Sequence, residues 1–274
     1  MFAHGRSRVT LDLLSRGEVS ELLDYGCGRA EFAIAAAKEL GLTVHACDID
    51  AALIAQLKDS HGASVDFFTI SEDSLELPFD DGQLSAVSCC DVLEHMSPDL
   101  RQSVLKEVHR ALADDGALVV TTPHKGLFSA VDPENVKHRF PRVHRFVYTR
   151  VKGPEKYRER YEGERFGNYS SGSSRHVHFS TRELSHTLRS AGFEVQEISY
   201  FGLIAPLIQP LLWLSENLAG RVPALRPVRR LCWRLYIGDA DRNPGRLGSG
   251  IAMRASKSGS TSAPARRANA AAEI

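Results

Sequence analysis

The chain is poor in the residues that staple small or metal-bound folds. Its 274 residues include five cysteines, two tryptophans and three methionines. The cysteines (Cys27, Cys47, Cys89, Cys90, Cys232) are odd in number and form no C-x-x-C pair, which argues against a disulfide framework or a zinc ribbon and fits reduced thiols. The first ten residues, MFAHGRSRVT, lack an apolar run, so no secretory signal is expected and the expected compartment is the cytoplasm. A net charge is missing too, with 34 basic and 34 acidic side chains, which argues against a coat of one sign for nucleic acid. There is no internal repeat. Ile198–Ser215 is free of charge for 18 residues, the borderline length for a membrane span. Pro206, Gln209 and Pro210 interrupt it, and the expectation is an interfacial or lid helix.

The missing net charge is a cancellation. Residues 1–136 carry 10 basic and 23 acidic side chains, residues 137–165 carry 10 and 4, and residues 221–274 carry 11 and 3. An acidic half is followed by two basic blocks.

The acidic half alternates short apolar runs with helical patterns, the mark of a parallel sheet covered by helices. Strands are expected at Glu21–Tyr25, Thr43–Cys47, Val65–Ile70, Leu84–Cys90 and Ala117–Thr122. Helices are expected at Ala30–Leu40, Ala51–Asp59 and from Ser97-Pro98 to about Leu112, the last with Ser as N-cap and Pro in the first turn. Residues 124–178 break the rhythm with Arg, His, Tyr, Gly and Ser. Ser180-Thr-Arg-Glu183 then reads as a capping box before a helix to Ala191, followed by a sixth strand, Phe193–Phe201. Arg221–Ile237 interleaves arginines with Val, Leu, Trp and Tyr, as a basic amphipathic segment does. Gly250–Ser256 is expected as a seventh strand at the sheet edge. The expected fold is α/β: a Rossmann-like, doubly wound sheet of seven strands, the last antiparallel, with mainly helical insertions after strands five and six. One domain is expected over residues 1–257, with a basic insertion at 124–178 and an apolar and basic one at 203–248. Residues 258–274 read as a disordered tail.

The densest chemistry is Leu23-Asp24-Tyr25-Gly26-Cys27-Gly28, between a strand and a helix. Two glycines there allow a tight turn and close approach of backbone to a ligand. Asp48 lies 20 residues beyond Gly28 at the end of the second strand, where a carboxylate meets ribose hydroxyls. Asp24 and Glu31 place negative charge where a dinucleotide would put its pyrophosphate, and suit an ammonium and a sulfonium instead.

With LLDYGCGRAEFA, VHACDID, SEDSLELPFDDGQLSAV, CCDVLEHM and EVHRALADDGALVVTTPH in order over residues 20–124, the sequence resembles the class I S-adenosylmethionine-dependent methyltransferases, in particular the methyltransferase type 11 group. HVHFSTRELSHTLRSAGFEVQEI resembles that family's last helix and strand. The resemblance implies S-adenosylmethionine as cofactor and S-adenosylhomocysteine as product. It implies that Asp24, Gly26, Cys27 and Gly28 surround the methionine part, Asp48 the ribose, and Ile49 the adenine. Asp73 would face the adenine amino group with Ser74 beside it, and Cys90 and Asp91 would line the path to the methyl group. Ala30 stands where the family usually has a third glycine, and Ser85 where it often has Asp.

A sulfonium methyl is already electrophilic, so the protein must align donor and acceptor and exclude water, and a hydroxyl acceptor also needs a base. His124, His95 and His176 are the candidates, with His95 equally a structural residue at a helix start; His178 alternates with His176. No carboxylate completes a metal set around His176-x-His178, and no metal is expected. Both insertions leave carboxyl ends of strands, where ligands bind in such sheets. Their basic and apolar character suits a small-molecule, lipid-linked or glycan acceptor with an anionic group, or an anionic membrane surface. Residues 154–165 read equally as a solvated charged helix. The expected activity is methyl transfer to a hydroxyl oxygen. The alternatives are an RNA or protein methyltransferase, or a membrane-peripheral protein that keeps the fold without turnover. Cys90-Asp91-Val92-Leu93 has no Asn/Asp-Pro-Pro-Tyr/Phe pattern, which speaks against base amino groups and leaves nucleic acid an unlikely partner.

Overall fold

The computed structural model describes residues 5–71, 75–131, 140–161, 177–218, 222 and 225–259. Seven strands form one sheet in the order β3-β2-β1-β4-β5-β7-β6. They are β1 (Glu21–Tyr25), β2 (Thr43–Asp48), β3 (Asp66–Thr69), β4 (Leu84–Cys90), β5 (Leu112–Pro123), β6 (Phe193–Phe201) and β7 (Gly250–Lys257). The first five run parallel, and β7 runs antiparallel to both β5 and β6. The chain leaves β1 toward β2 on one side and returns through β4 on the other, so the crevice of the doubly wound sheet opens at the carboxyl ends of β1 and β4.

The helices cover both faces. On one face lie α1 (Arg6–Leu14), α2 (Glu31–Leu40) and α3 (Ala51–His61), whose Leu13, Leu14, Phe32, Ala36 and Ile54 pack on Leu22, Ala46 and Val119. On the other lie α4 (Pro98–Ala111) and α7 (Thr181–Ser190), whose Val104, Leu105, Val108, Leu184 and Leu188 pack on Leu23, Val87, Leu118 and Met253. Local chemistry sets the ends. The Ser97 hydroxyl accepts from the Leu100 amide at the start of α4, and the Ser180–Glu183 capping box opens α7 with both reciprocal bonds formed.

The remaining helices belong to the two insertions. After β5 come α5 (Pro141–Lys152) and α6 (Pro154–Tyr161), and after β6 come α8 (Ala205–Leu218) and α9 (Arg226–Ala240). Pro123 at the end of β5 and Phe201 at the end of β6 both pair with Gly250, so both insertions leave the sheet at the crevice edge. The buried Asp239 of α9 ties its hairpin together. Its Oδ2 accepts from the amides of Leu203, Ile204 and Ala205 at 2.9, 2.9 and 2.8 Å, capping the start of α8. No helix among the described residues is long and apolar enough to cross a membrane.

Two departures from the sequence reading stand out. β7 is not an edge strand: it lies between β5 and β6, and six of its eight residues are buried. The edge falls to β6, whose exposed and half-buried residues alternate as water on one face requires. The second is α1, a helix absent from the sequence reading, which covers β4, β5 and β7. The residues expected as a tail lie outside the described residues from 260 onward.

Candidate active site

β1 ends in a turn built on left-handed backbone, with Gly26 at φ 75° and Gly28 at φ 50°. A Cβ on Gly26 would come within 2.4 Å of Val92 Cγ2, whereas beside Gly28 the space is open. The amides of Gly26 and Cys27 both donate to the Cys47 carbonyl at 2.9 Å, which pins the turn to the end of β2. There Asp48 accepts from the Gly28 amide through Oδ2 (2.9 Å) and from the Asp50 amide through Oδ1 (3.1 Å), with half-buried Ile49 between. Ala30 also takes left-handed backbone, at φ 57°, where only glycine is free of strain. The cost of about 1 kcal/mol is offset by a fully buried methyl group in the α2 core.

Beneath this turn Asp24 is almost wholly buried, its Oδ1 accepting from the Ser88 hydroxyl of β4 at 2.9 Å. Burial pushes its carboxyl up to about 6; Asp48 adds to the rise, while Ser88 and Arg6 oppose it. The next strand end brings Cys90 and Asp91. Burial and the charge of Asp24 push the Cys90 thiol up to about 12, so it is no nucleophile at neutral pH. Asp91 sits at φ 55°, its amide donating to the Thr121 carbonyl and its Oδ1 accepting from the Thr121 hydroxyl at 3.3 Å. From above, α1 closes on the same group. Arg6 pairs with Asp91, and the Thr10 hydroxyl meets Cys90 Sγ at 3.5 Å.

A single turn at Leu93–His95 follows. Buried Glu94 is held well above the usual carboxylate range by desolvation and by Asp91. Arg101 of α4 clamps this turn, donating to the carbonyls of Leu93 (3.0 Å) and Met96 (2.9 Å) while its guanidinium lies over the Phe179 ring. Half-buried His95 therefore rides on a fixed turn four residues past Asp91. His124 lies farther along the crevice edge, on the β7 side. Its Nδ1 donates to the Gly248 carbonyl at 2.9 Å and its ring meets Tyr200 edge-on. Desolvation lowers the histidine below its ordinary value.

The structure thus gathers Asp24, Gly26, Cys27, Gly28, Asp48, Cys90 and Asp91 at the crevice and sets His95 and His124 along the same edge. Asp73, Ser74 and His176 lie outside the described residues. Sequence reasoning missed three participants. Arg6 comes from α1, and Glu94 lies within the CCDVLEHM stretch. Arg110 of α4 fixes the segment after residue 74 by donating to the carbonyls of Leu77 (3.2 Å) and Phe79 (2.8 Å) and to Glu107 and Asp81. Only Glu94 had a local signal. Ser85 serves a structural part, its hydroxyl accepting from the amides of Ser20 and Glu21 and donating to the Glu21 carbonyl.

Asp24 and Asp48 at an open glycine turn, with the charge of Asp91 met by Arg6, fit a cationic ligand with a sugar hydroxyl pair better than a phosphate chain. Among the described residues no group of three or more His, Cys, Asp or Glu is placed to hold a metal. A concavity elsewhere among the described residues is of opposite character, about 490 Å³ on α5 and α6, lined by Arg145, Thr149, Arg150, Pro154, Tyr157 and Arg158.

Comparison with known proteins agrees with this geometry. The family model described as "Methyltransferase domain" matches residues 22–116, about a third of the chain, from β1 into β5. No curated protein matches. Among solved structures, the [4+2]-cyclase SpnF is 18% identical, with a TM-score of 0.53 over 94% of this chain and 87% of its own. A putative sarcosine dimethylglycine methyltransferase from Galdieria sulphuraria is 16% identical, with a TM-score of 0.53 over 92% and 83%. The geranyl diphosphate C-methyltransferase from Streptomyces coelicolor, solved with Mg2+, geranyl diphosphate and S-adenosylhomocysteine, is 16% identical, with a TM-score of 0.50 over 92% and 79%. At these identities the structures speak for the fold, and the family match speaks for the domain. Residues 22–116 thus match a methyltransferase domain, on a fold that these solved structures share.

Proposed function

We propose that the chain transfers a methyl group from S-adenosylmethionine to a hydroxyl oxygen of a small-molecule, lipid-linked or glycan acceptor that carries an anionic group. The observation that carries this reading is the crevice itself: Asp24, Asp48 and Asp91 around a glycine turn, with His124 on the same sheet edge. In this reading Asp48 holds the ribose hydroxyls and Ile49 lies beside the adenine. The Gly26–Gly28 turn, with Cys27, lets backbone approach the methionine part, whose ammonium is met by the Asp24 carboxylate. Cys90 and Asp91 line the side of the crevice that faces the acceptor. Asp73 and Ser74 retain the adenine roles that the resemblance gives them.

When bound, the cofactor supplies an electrophilic methyl on a sulfonium. The protein supplies position, dryness and a base. A carbonyl only accepts, so the bond to Gly248 fixes the proton of His124 on Nδ1 and leaves the Nε2 lone pair free to take the hydroxyl proton. Desolvation keeps the ring neutral at pH 7, as a base requires. His95 on its clamped turn is the second candidate. The basic concavity on α5 and α6 supports an anionic acceptor, since that insertion leaves β5 at the crevice edge.

The test is a methyl-transfer screen with labelled cofactor against phenolics, glycans and lipid extracts. Transfer to a hydroxyl is expected. His124→Ala should slow turnover by roughly a hundredfold or more while leaving S-adenosylhomocysteine affinity unchanged. In wild type, kcat should fall as pH drops through a value below 6.5. Wild-type turnover in His124→Ala removes it as the base, and exclusive labelling of nitrogen or carbon overturns the acceptor class.

A further inference from the structure

The α8–α9 hairpin is apolar on two sides. Ile208 and Leu212 of α8 are buried with Cys232 of α9 and form the inner side. One residue earlier, Leu207, Leu211 and Leu214 recur at i, i+4 and i+7 and are 42, 57 and 37% exposed. Adjacent residues stand about 100° apart around a helix, so this second stripe points away from the packed one. α9 repeats the pattern with exposed Val228, Leu231 and Leu235 at i, i+3 and i+7. Among them stand Arg226, Arg229, Arg230 and Arg234, all exposed. The one acid of α9, Asp239, is buried and engaged by three amides, so this helix shows water four positive charges and no negative one. The neighbouring α5, joined to α8 by the stacking of Tyr148 on Trp213 at 5.6 Å, also mixes exposed Val143 and Phe146 with arginines.

We infer that the α8–α9 hairpin docks on an anionic lipid bilayer, its leucine stripes at the acyl boundary and its arginines among the phosphates. Rows of exposed leucine on a folded chain mark a partner surface. The chemistry around them selects the partner. A second copy would bring arginine rows against each other, and a nucleic acid would leave the leucines in water. An anionic bilayer meets both, because arginine stems run along apolar surface while their heads reach phosphate. The hairpin leaves and rejoins the sheet at the crevice edge, so docking brings that edge to the membrane surface. The inference is independent of methyl transfer, since no residue of the cofactor crevice belongs to the hairpin.

The test is flotation of the full chain with vesicles of phosphatidylcholine alone, or of phosphatidylcholine and phosphatidylglycerol in equal parts, at low and high salt. Strong, salt-sensitive flotation is expected with the anionic vesicles only. Arg230→Gln with Arg234→Gln should lower partitioning by about 25-fold, at about fivefold per arginine. Leu211→Ser, Leu214→Ser, Leu231→Ser and Leu235→Ser combined should lower it by roughly tenfold or more. All six positions are exposed, so circular dichroism and S-adenosylhomocysteine affinity should stay as in wild type and show that the variants fold. Absence of flotation in wild type, equal flotation of wild type and either variant, or loss of flotation only in misfolded variants overturns the inference. So does wild-type self-association or oligonucleotide binding through this face without flotation.

Discussion

The carboxyl edge of β1 and β4 and the α8–α9 hairpin handle polarity in opposite ways. At the sheet edge, charge is drawn inward: Asp24 is almost wholly buried, and Asp48 is oriented by two amides. In the hairpin the charge is outward and accompanied by exposed leucine, and its one buried acid serves only to cap a helix. Buried charge is costly, so a protein keeps it where a ligand or a network repays it. Exposed leucine costs less and lasts where a surface waits for it. On the proposed reading the crevice prepares for a small cation and the hairpin beside it for an extended surface.

The comparison can be broken in graded ways. Gly26→Ala has the largest expected effect, since the new Cβ meets Val92 at 2.4 Å and the backbone is left-handed. A loss of roughly 2–5 kcal/mol is expected in denaturant unfolding, with cofactor binding lost as well. Asp239→Ala, which strips three amides of their acceptor, should cost about 2–4 kcal/mol and open the hairpin to protease. If the two regions are separate devices, its S-adenosylhomocysteine affinity stays within about twofold of wild type once folded. Coupled loss of both would merge them.

Asp24→Asn should act in the reverse sense, gaining stability and losing affinity. The folded pKa of Asp24 is raised to about 6, so the folded state holds the proton more tightly than the unfolded one. Ionisation therefore subtracts stability as pH rises from about 4 to 6, and the deficit is full above that window. The neutral amide escapes it and can still accept from Ser88. At pH 7 the variant should be more stable by up to about 3 kcal/mol, a gap that closes below about pH 4. Thermal unfolding across pH reads this, and equal stability at pH 7 would show that the carboxylate is not penalised.

How much was legible follows the range of the forces. β1 and β4 begin and end where the residues themselves announce it, by apolar runs that stop at Gly26 and Asp91, and β6 by an alternating run that stops at Gly202. The capping box of α7 is equally local. β7 was found but misplaced, because which strands flank it depends on partners over a hundred residues away in β5 and some fifty away in β6. α1 escaped because its local signals point the wrong way. Gly5 provides no side-chain cap, the first turn holds arginine where the dipole favours acid, and the helix has nine residues. With α1 went Arg6, the ceiling of the site. The Arg110 clamp was illegible for the same reason, since its partners lie about 30 residues upstream. The glycine turn and Asp48 were legible because one short motif and one spacing define them.

The central claim is that Asp48 and the glycine turn hold an adenosine-bearing cofactor. Calorimetric titration of S-adenosylhomocysteine into wild type and Asp48→Ala tests it most directly. Loss of two hydrogen bonds to a charged acceptor should weaken binding by roughly a hundredfold or more, with a modest loss of stability because the Gly28 and Asp50 amides lose their acceptor. Equal affinity of the two proteins, or no binding by wild type, would contradict it.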